Sequence, residues 1–176
     1  SRDENKKIKN GVIPEEWEKP ENKSKLAQKD IDADWTKKNG ERHFGYKDHV
    51  KCDADSKLIT NYSVTSASVH DSQRCLVFIG QEDEVLYADS AYSGKPIALA
   101  LPENCKNQIC EKGYRNSPLT SEQKMNNRRK SRIRCRIEQI FGFMTGAMHG
   151  ITIRSIGITR AWMNIGITNL VYNFCR

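Results

Sequence analysis

Val85-Leu86-Tyr87-Ala88-Asp89-Ser90-Ala91-Tyr92 is a short apolar run that ends on a carboxylate. Bounded by polar residues on both sides, Val85–Ala88 reads as a buried central strand. Asp89 then stands at the C-terminal end of that strand, the edge where open α/β sheets place their ligands. The sheet would hold it rigidly, as a metal ligand should be held. A turn or helix cap is the alternative for an Asp in this place.

The same logic extends upstream. His43 to Asp53 alternates larger and polar residues with period two, the signature of a strand. Asp53-Ala54-Asp55-Ser56 is a turn, and Leu58 to Thr65 is a second strand, β-branched and aromatic. The short polar link makes these two an antiparallel hairpin. His70-Asp71-Ser72-Gln73 opens a helix that reaches about Gly80. Downstream, Ser93-Gly94 is a turn, Lys95 to about Leu101 a helix, and Asn107–Cys110 a last strand. Thr120-Ser121-Glu122-Gln123 carries helix-start chemistry, and a long helix follows from about Ser121 to Met144. After Gly150, the segment Ile156–Phe174 forms a final amphipathic helix through Ile158, Ala161, Trp162, Ile165, Leu170 and Phe174. The order is mixed α/β, with helices packed on a sheet.

Residues 1–40 differ in character. They carry Pro14, Pro20 and Gly11, dense Lys and Glu, and few apolar anchors. They read as a polar, largely extended segment pinned by Trp17 and Trp35, or as disordered chain. Residues 41–176 read as the globular part.

Composition narrows the function. The chain has 176 residues, with 29 Lys and Arg against 22 Asp and Glu, a net charge of +7. This balance is compatible with a polyanionic partner. The six cysteines form no CxxC pair and follow no secretion signal, so they read as reduced thiols of a cytoplasmic protein. The histidines show no zinc-ligand spacing to them. No apolar run approaches the roughly 18 residues that a membrane span needs. The chain opens without Met inside a charged stretch, which reads as a fragment or a processed frame.

Two further features carry chemistry. On the long helix, Ile133, Ile137, Ile140, Phe141 and Met144 form an apolar stripe, and Glu138 lies beside it. Arg134 sits one turn earlier on the same face and pairs with it, either in a solvated salt bridge or around a functional carboxylate. Arg128, Arg129, Lys130, Arg132, Arg134 and Arg136 distribute around the helix. Phosphate contact and simple solvation are both open for them. Two carboxylates on a sheet edge and an adjacent helix, beside a basic run, suit phosphodiester chemistry with hard divalent cations.

Several ordered motifs then resemble the DDE transposases of bacterial insertion sequences, families four and five. Asp32 to Gly40 after the Lys/Glu-rich tract is similar to the family's insert. Phe44-Gly45-Tyr46-Lys47-Asp48-His49 resembles its second-strand motif, and Val69-His70-Asp71-Ser72-Gln73 the start of its first helix. Tyr87–Tyr92 looks like the block with the second catalytic Asp, and Arg134–Glu138 like the block with the catalytic Glu. The resemblance implies an RNase H-like mixed sheet flanked by helices. It implies Asp89 and Glu138 as catalytic ligands of two Mg²⁺ ions, with Mn²⁺ as a substitute. It also implies DNA as partner, at element ends and target, and a second copy of the chain.

The sequence departs from the family in three places. No Asp precedes the Lys/Glu-rich insert, where the family has its first catalytic Asp and first strand; Asp32 and Asp34 follow the insert. The family's Tyr three residues before the Arg is Ser131, and the basic residue seven after the Glu is Thr145. On this reading the sheet lacks its first strand, so two neighbouring strands keep unpaired backbone groups. The polypeptide alone is expected to be poorly stable and inactive. A non-catalytic DNA-binding remnant is the alternative, and a basic structural or RNA-binding protein the more distant one.

Overall fold

The computed structural model describes residues 2–38, 40–150 and 152–176; Ser1, Ile151 and Asn39 of the 32–40 motif lie outside the described residues. The chain divides into two compact units: residues 1–48, 64–69 and 152–167, and residues 49–63, 70–151 and 168–176.

In the first unit the Lys/Glu-rich segment is not extended as expected. It holds three short helices, α1 (Arg2–Lys9), α2 (Glu15–Glu18) and α3 (Lys23–Ala27), then strand β1 (Asp34–Lys38). Lys and Glu are strong helix formers. In α1, Asp3 and Glu4 occupy the first turn and Lys6, Lys7 and Lys9 the last, complementing the helix dipole. Gly11, at φ 79°, ends α1 in the left-handed conformation that favours glycine. Ile8 is buried. Trp35 is largely exposed but stacks on Phe44, ring centroids 5.2 Å apart. The Lys29 ammonium lies 5.3 Å from the centre of the Trp17 ring.

The expected hairpin is present as β2 (Glu41–Cys52) and β3 (Ile59–Ser66), neighbours in a three-stranded sheet of order β1-β2-β3. β1 and β2 pair antiparallel, with Trp35 opposite Phe44. The Asp53 carboxylate builds the intervening turn, accepting from the Ser56 N–H at 2.7 Å and the Ser56 hydroxyl at 2.6 Å.

In the second unit, α4 (Ser72–Phe78) precedes β4 (Val85–Leu86), and α5 (Lys95–Ala100) leads to β5 (Lys106–Asn107). β4 and β5 are parallel, with Val85 opposite Lys106. Their ladder continues beyond the strand limits: the Gln108 N–H donates to Leu86 C=O at 2.8 Å and the Cys110 N–H to Ala88 C=O at 3.0 Å. Strands of both orientations therefore exist as expected, but in two sheets rather than one among the described residues. Cys75, Ile97 and Ile109 form one buried cluster, with Leu86, Ala88 and Tyr92 packed on it.

The long helix is α6 (Ser121–Gly146), opened by a reciprocal capping box between Thr120 and Gln123. Its apolar stripe packs as the spacing predicts. Ile140 and Met144 are fully buried with Ile59 and Tyr172 in the second cluster.

The last helix, α7 (Ile158–Cys175), forms where expected and buries part of the expected stripe. Ala161, Ile165, Asn169 and Tyr172 are buried, while Trp162, Leu170 and Phe174 are exposed. The helix is apolar nearly all round, so its pattern does not single out one side. Asp30 and Asp32 fix its start: Asp30 accepts the Gly157 N–H at 3.2 Å and Asp32 the Ile158 N–H at 2.9 Å. Asp30 also accepts the Tyr46 hydroxyl at 2.6 Å. Burial, then that bond, holds the Tyr46 phenol protonated far above its usual range. All six cysteines are free thiols, and burial pushes those of Cys52, Cys75 and Cys105 up, away from the thiolate.

Candidate active site

Asp89 follows the β4 ladder directly, in extended conformation, and begins a single 3-10 turn over Ser90–Tyr92. Its carbonyl accepts the Tyr92 N–H at 3.0 Å, which closes the turn. The carboxylate is exposed, and its nearest hydrogen bond is local, from the Ser90 hydroxyl at 3.1 Å. The Asp89 carboxylate makes no capping bond to a backbone N–H of the turn it begins, so the capping alternative is not realised. A rigid strand thus delivers an accessible carboxylate.

The start of α6 is clamped to the end of the β5 run, beside that strand. Asn127 brackets the backbone of Glu111, donating to its C=O and accepting its N–H, each at 2.9 Å. Lys130 donates to Ile109 C=O at 3.0 Å, and Cys110 Sγ lies 3.8 Å from Ser131 Oγ. Ala88 is bonded to Cys110, so Asp89 is one residue from this clamp. Ser131, Arg134 and Glu138 recur at spacings of three and four and share one face of α6. Glu138 lies about 10 Å further along the axis than Ser131, at about 1.5 Å per residue. The two carboxylates therefore belong to one unit, on elements joined by a short chain of contacts.

Glu138 and Arg134 pair as the spacing predicts, 2.8 Å apart, with the Glu138 side chain 61% exposed. The basic run divides. Lys130 serves the strand backbone, Arg134 serves Glu138, and Arg136 lies 3.9 Å from Asp55. Arg128, Arg129 and Arg132 are exposed, with no ion-pair partner among the described residues. Thr145 turns its hydroxyl back on its own helix, donating to Phe141 C=O at 2.9 Å.

Asn127 was not legible as a positioning residue. Nothing in a helical pattern separates an Asn that brackets a distant strand from one that faces water. Asp32 and Asp34 are engaged elsewhere: Asp32 at the start of α7, and Asp34 with Lys9, whose ammonium holds its carboxyl below the usual range.

Residues 15–174 match the family model described as the transposase DDE domain. The chain belongs to that family. It is also 34% identical over 117 residues to the transposase for insertion sequence element IS1106 of Neisseria meningitidis serogroup B. That stretch covers 65% of this chain and 40% of the relative, so the chain spans about two fifths of the length of the curated relative it matches. No solved structure matches. Membership of the DDE family implies an RNase H-like fold, which the mixed α/β order suits, and DDE domains in general act on DNA with divalent metals. No helix among the described residues is long and apolar enough to cross a membrane.

Proposed function

We propose that this chain is part of the catalytic domain of an insertion-sequence transposase that hydrolyses and rejoins DNA phosphodiesters, with Asp89 and Glu138 as two of its metal-binding carboxylates. The observation that carries this is the DDE-domain match over residues 15–174, joined to two exposed carboxylates on the tied β4 and α6 elements. Their oxygen donors fit a hard cation such as Mg²⁺, with Mn²⁺ as a substitute. Among the described residues no three or more acidic, His or Cys side chains group for a metal. The family resemblance implies a further catalytic Asp ahead of the Lys/Glu-rich insert, so Asp89 and Glu138 are read as two members of a set, and the chain by itself is expected to be inactive. Bound divalent ions supply charge stabilisation at the attacking and leaving oxygens of the phosphodiester.

The chain's own residues do the rest. The β4 ladder fixes Asp89, and Arg134 orients Glu138. Arg128, Arg129 and Arg132 face solvent as a phosphate track, engaging element ends and target in the bacterial cytoplasm, with a second copy of the chain in the assembly. Replacing these three arginines by Ala should reduce the slope of log affinity against log salt by about 3, since each phosphate contact contributes about 0.9. The loss should be similar for all DNA sequences. A salt titration by fluorescence anisotropy reads this, and an unchanged slope would leave the three as solvated surface.

The reaction class is tested in the complete transposase with DNA carrying an element end. Chelation by EDTA is expected to stop cleavage and added Mg²⁺ to restore it. Cleavage that persists in EDTA overturns the reading. Nicking by this chain alone, lost in Asp89→Ala, would overturn the incomplete ligand set.

A further inference from the structure

His49 lies in β2 with its side chain 6% exposed, and its Nδ1 is 3.4 Å from the Asp71 carboxylate. Asp71 immediately precedes α4, where an Asp ordinarily caps the helix. Here it makes no capping bond. The first-turn N–H groups bond elsewhere: Ser72 N–H to His70 Nδ1 at 3.3 Å, Gln73 N–H to His70 C=O at 3.1 Å and Arg74 N–H to Asp71 C=O at 3.0 Å. The Asp71 carboxylate faces His49.

One turn further along α4, Cys75 packs in the cluster that contains Ala88 and Tyr92. Ala88 immediately precedes Asp89, and the Tyr92 N–H closes its turn.

We propose that His49 is a positioning residue for Asp89: it holds Asp71, and through Asp71 the first turn of α4, against the turn at residues 88–92. This rests on the reading of Asp89 as a site carboxylate. The imidazole is buried, and its effect passes through Asp71 and the Cys75 cluster on which Tyr92 packs, in the way that hydrogen-bonded partners behind metal ligands set their orientation.

The test uses the complete protein labelled with 3-fluorotyrosine, the Tyr92 resonance being assigned with Tyr92→Phe. His49→Leu is expected to move the Tyr92 ¹⁹F resonance and to weaken Mn²⁺ binding about tenfold, the lower end for loss of such partners. His49→Asn, whose side-chain amide can replace Nδ1 toward Asp71, should restore both. A folded His49→Leu protein with a lowered Tm but unchanged Mn²⁺ affinity would show a merely structural role and overturn the proposal. Should His49→Leu fail to fold, Asp71→Asn alters only the half-exposed partner and is read in the same way. The underlying reading of Asp89 fails separately, if Asp89→Asn leaves Mn²⁺ affinity unchanged; the Tyr92 resonance then still decides whether His49 sets this turn.

Discussion

Glu138→Gln is expected to cost the complete transposase about a thousandfold in strand cleavage and almost nothing in stability. The two parts of this expectation have different physical origins. Glu138 is 61% exposed and its ion pair is the i,i+4 contact with Arg134. Exposed pairs of this kind contribute about 0.3–0.5 kcal/mol. Gln is as good a helix former as Glu, so α6 loses little else. Replacing a carboxylate by a neutral amide removes charge from a metal site, where charge stabilisation amounts to several kcal/mol. About 4 kcal/mol corresponds to about a thousandfold in rate. Single-turnover cleavage of element-end DNA, beside a thermal melt of the same preparation, separates the two effects. Wild-type cleavage by Glu138→Gln would reduce the Arg134–Glu138 pair to a solvated salt bridge and remove the third-block carboxylate from the proposed site.

What the sequence revealed follows from where the physical signal is local. The β2–β3 hairpin and the buried stripe of α6 were legible because strand and helix periodicities are imposed by a single core face. The places of Asp89, directly after the β4 ladder, and of Glu138, within α6, are legible for the same reason, since each follows from a single element. The helices within residues 2–27 are not legible, because proline, glycine and dense charge mask the helix propensity of Lys and Glu. The buried face of α7 is legible only in part, at Ala161 and Ile165 and not at Asn169 and Tyr172, because an evenly apolar helix has no preferred side. The division of the basic run depends on partners far away in the chain: Ile109 C=O for Lys130 and Asp55 for Arg136. Periodicity carries no information about such partners. The approach of Asp71 to His49 is illegible for the same reason, because the two stand 22 positions apart on different elements.

Ile140→Ala should lower the unfolding free energy by about 3–4 kcal/mol, within the range for large-to-small changes at fully buried sites. Ile140 is 0% exposed and packs with Ile59, Met144 and Tyr172, with Val50, Tyr62 and Ile137 against the same cluster. Helix α6, β3 and α7 all contribute to that cluster, so collapse around the vacated volume is resisted from several elements. Ala is the better helix former by a few tenths of a kcal/mol, which offsets only a small part. Met163→Ala supplies the contrast: at 69% exposed it should shift stability by less than about 0.5 kcal/mol. Urea unfolding of both variants is the measurement, with the midpoint expected to fall for Ile140→Ala at unchanged slope. Ile140 stands two residues after Glu138, so releasing this contact also frees the part of α6 that presents the carboxylate. Cleavage by Ile140→Ala should therefore follow its folded fraction, recovering at low temperature, whereas Glu138→Gln stays inactive while fully folded. A midpoint for Ile140→Ala equal to that of Met163→Ala would mean that α6 is not docked through this stripe, and the placement of Glu138 would lose its structural basis.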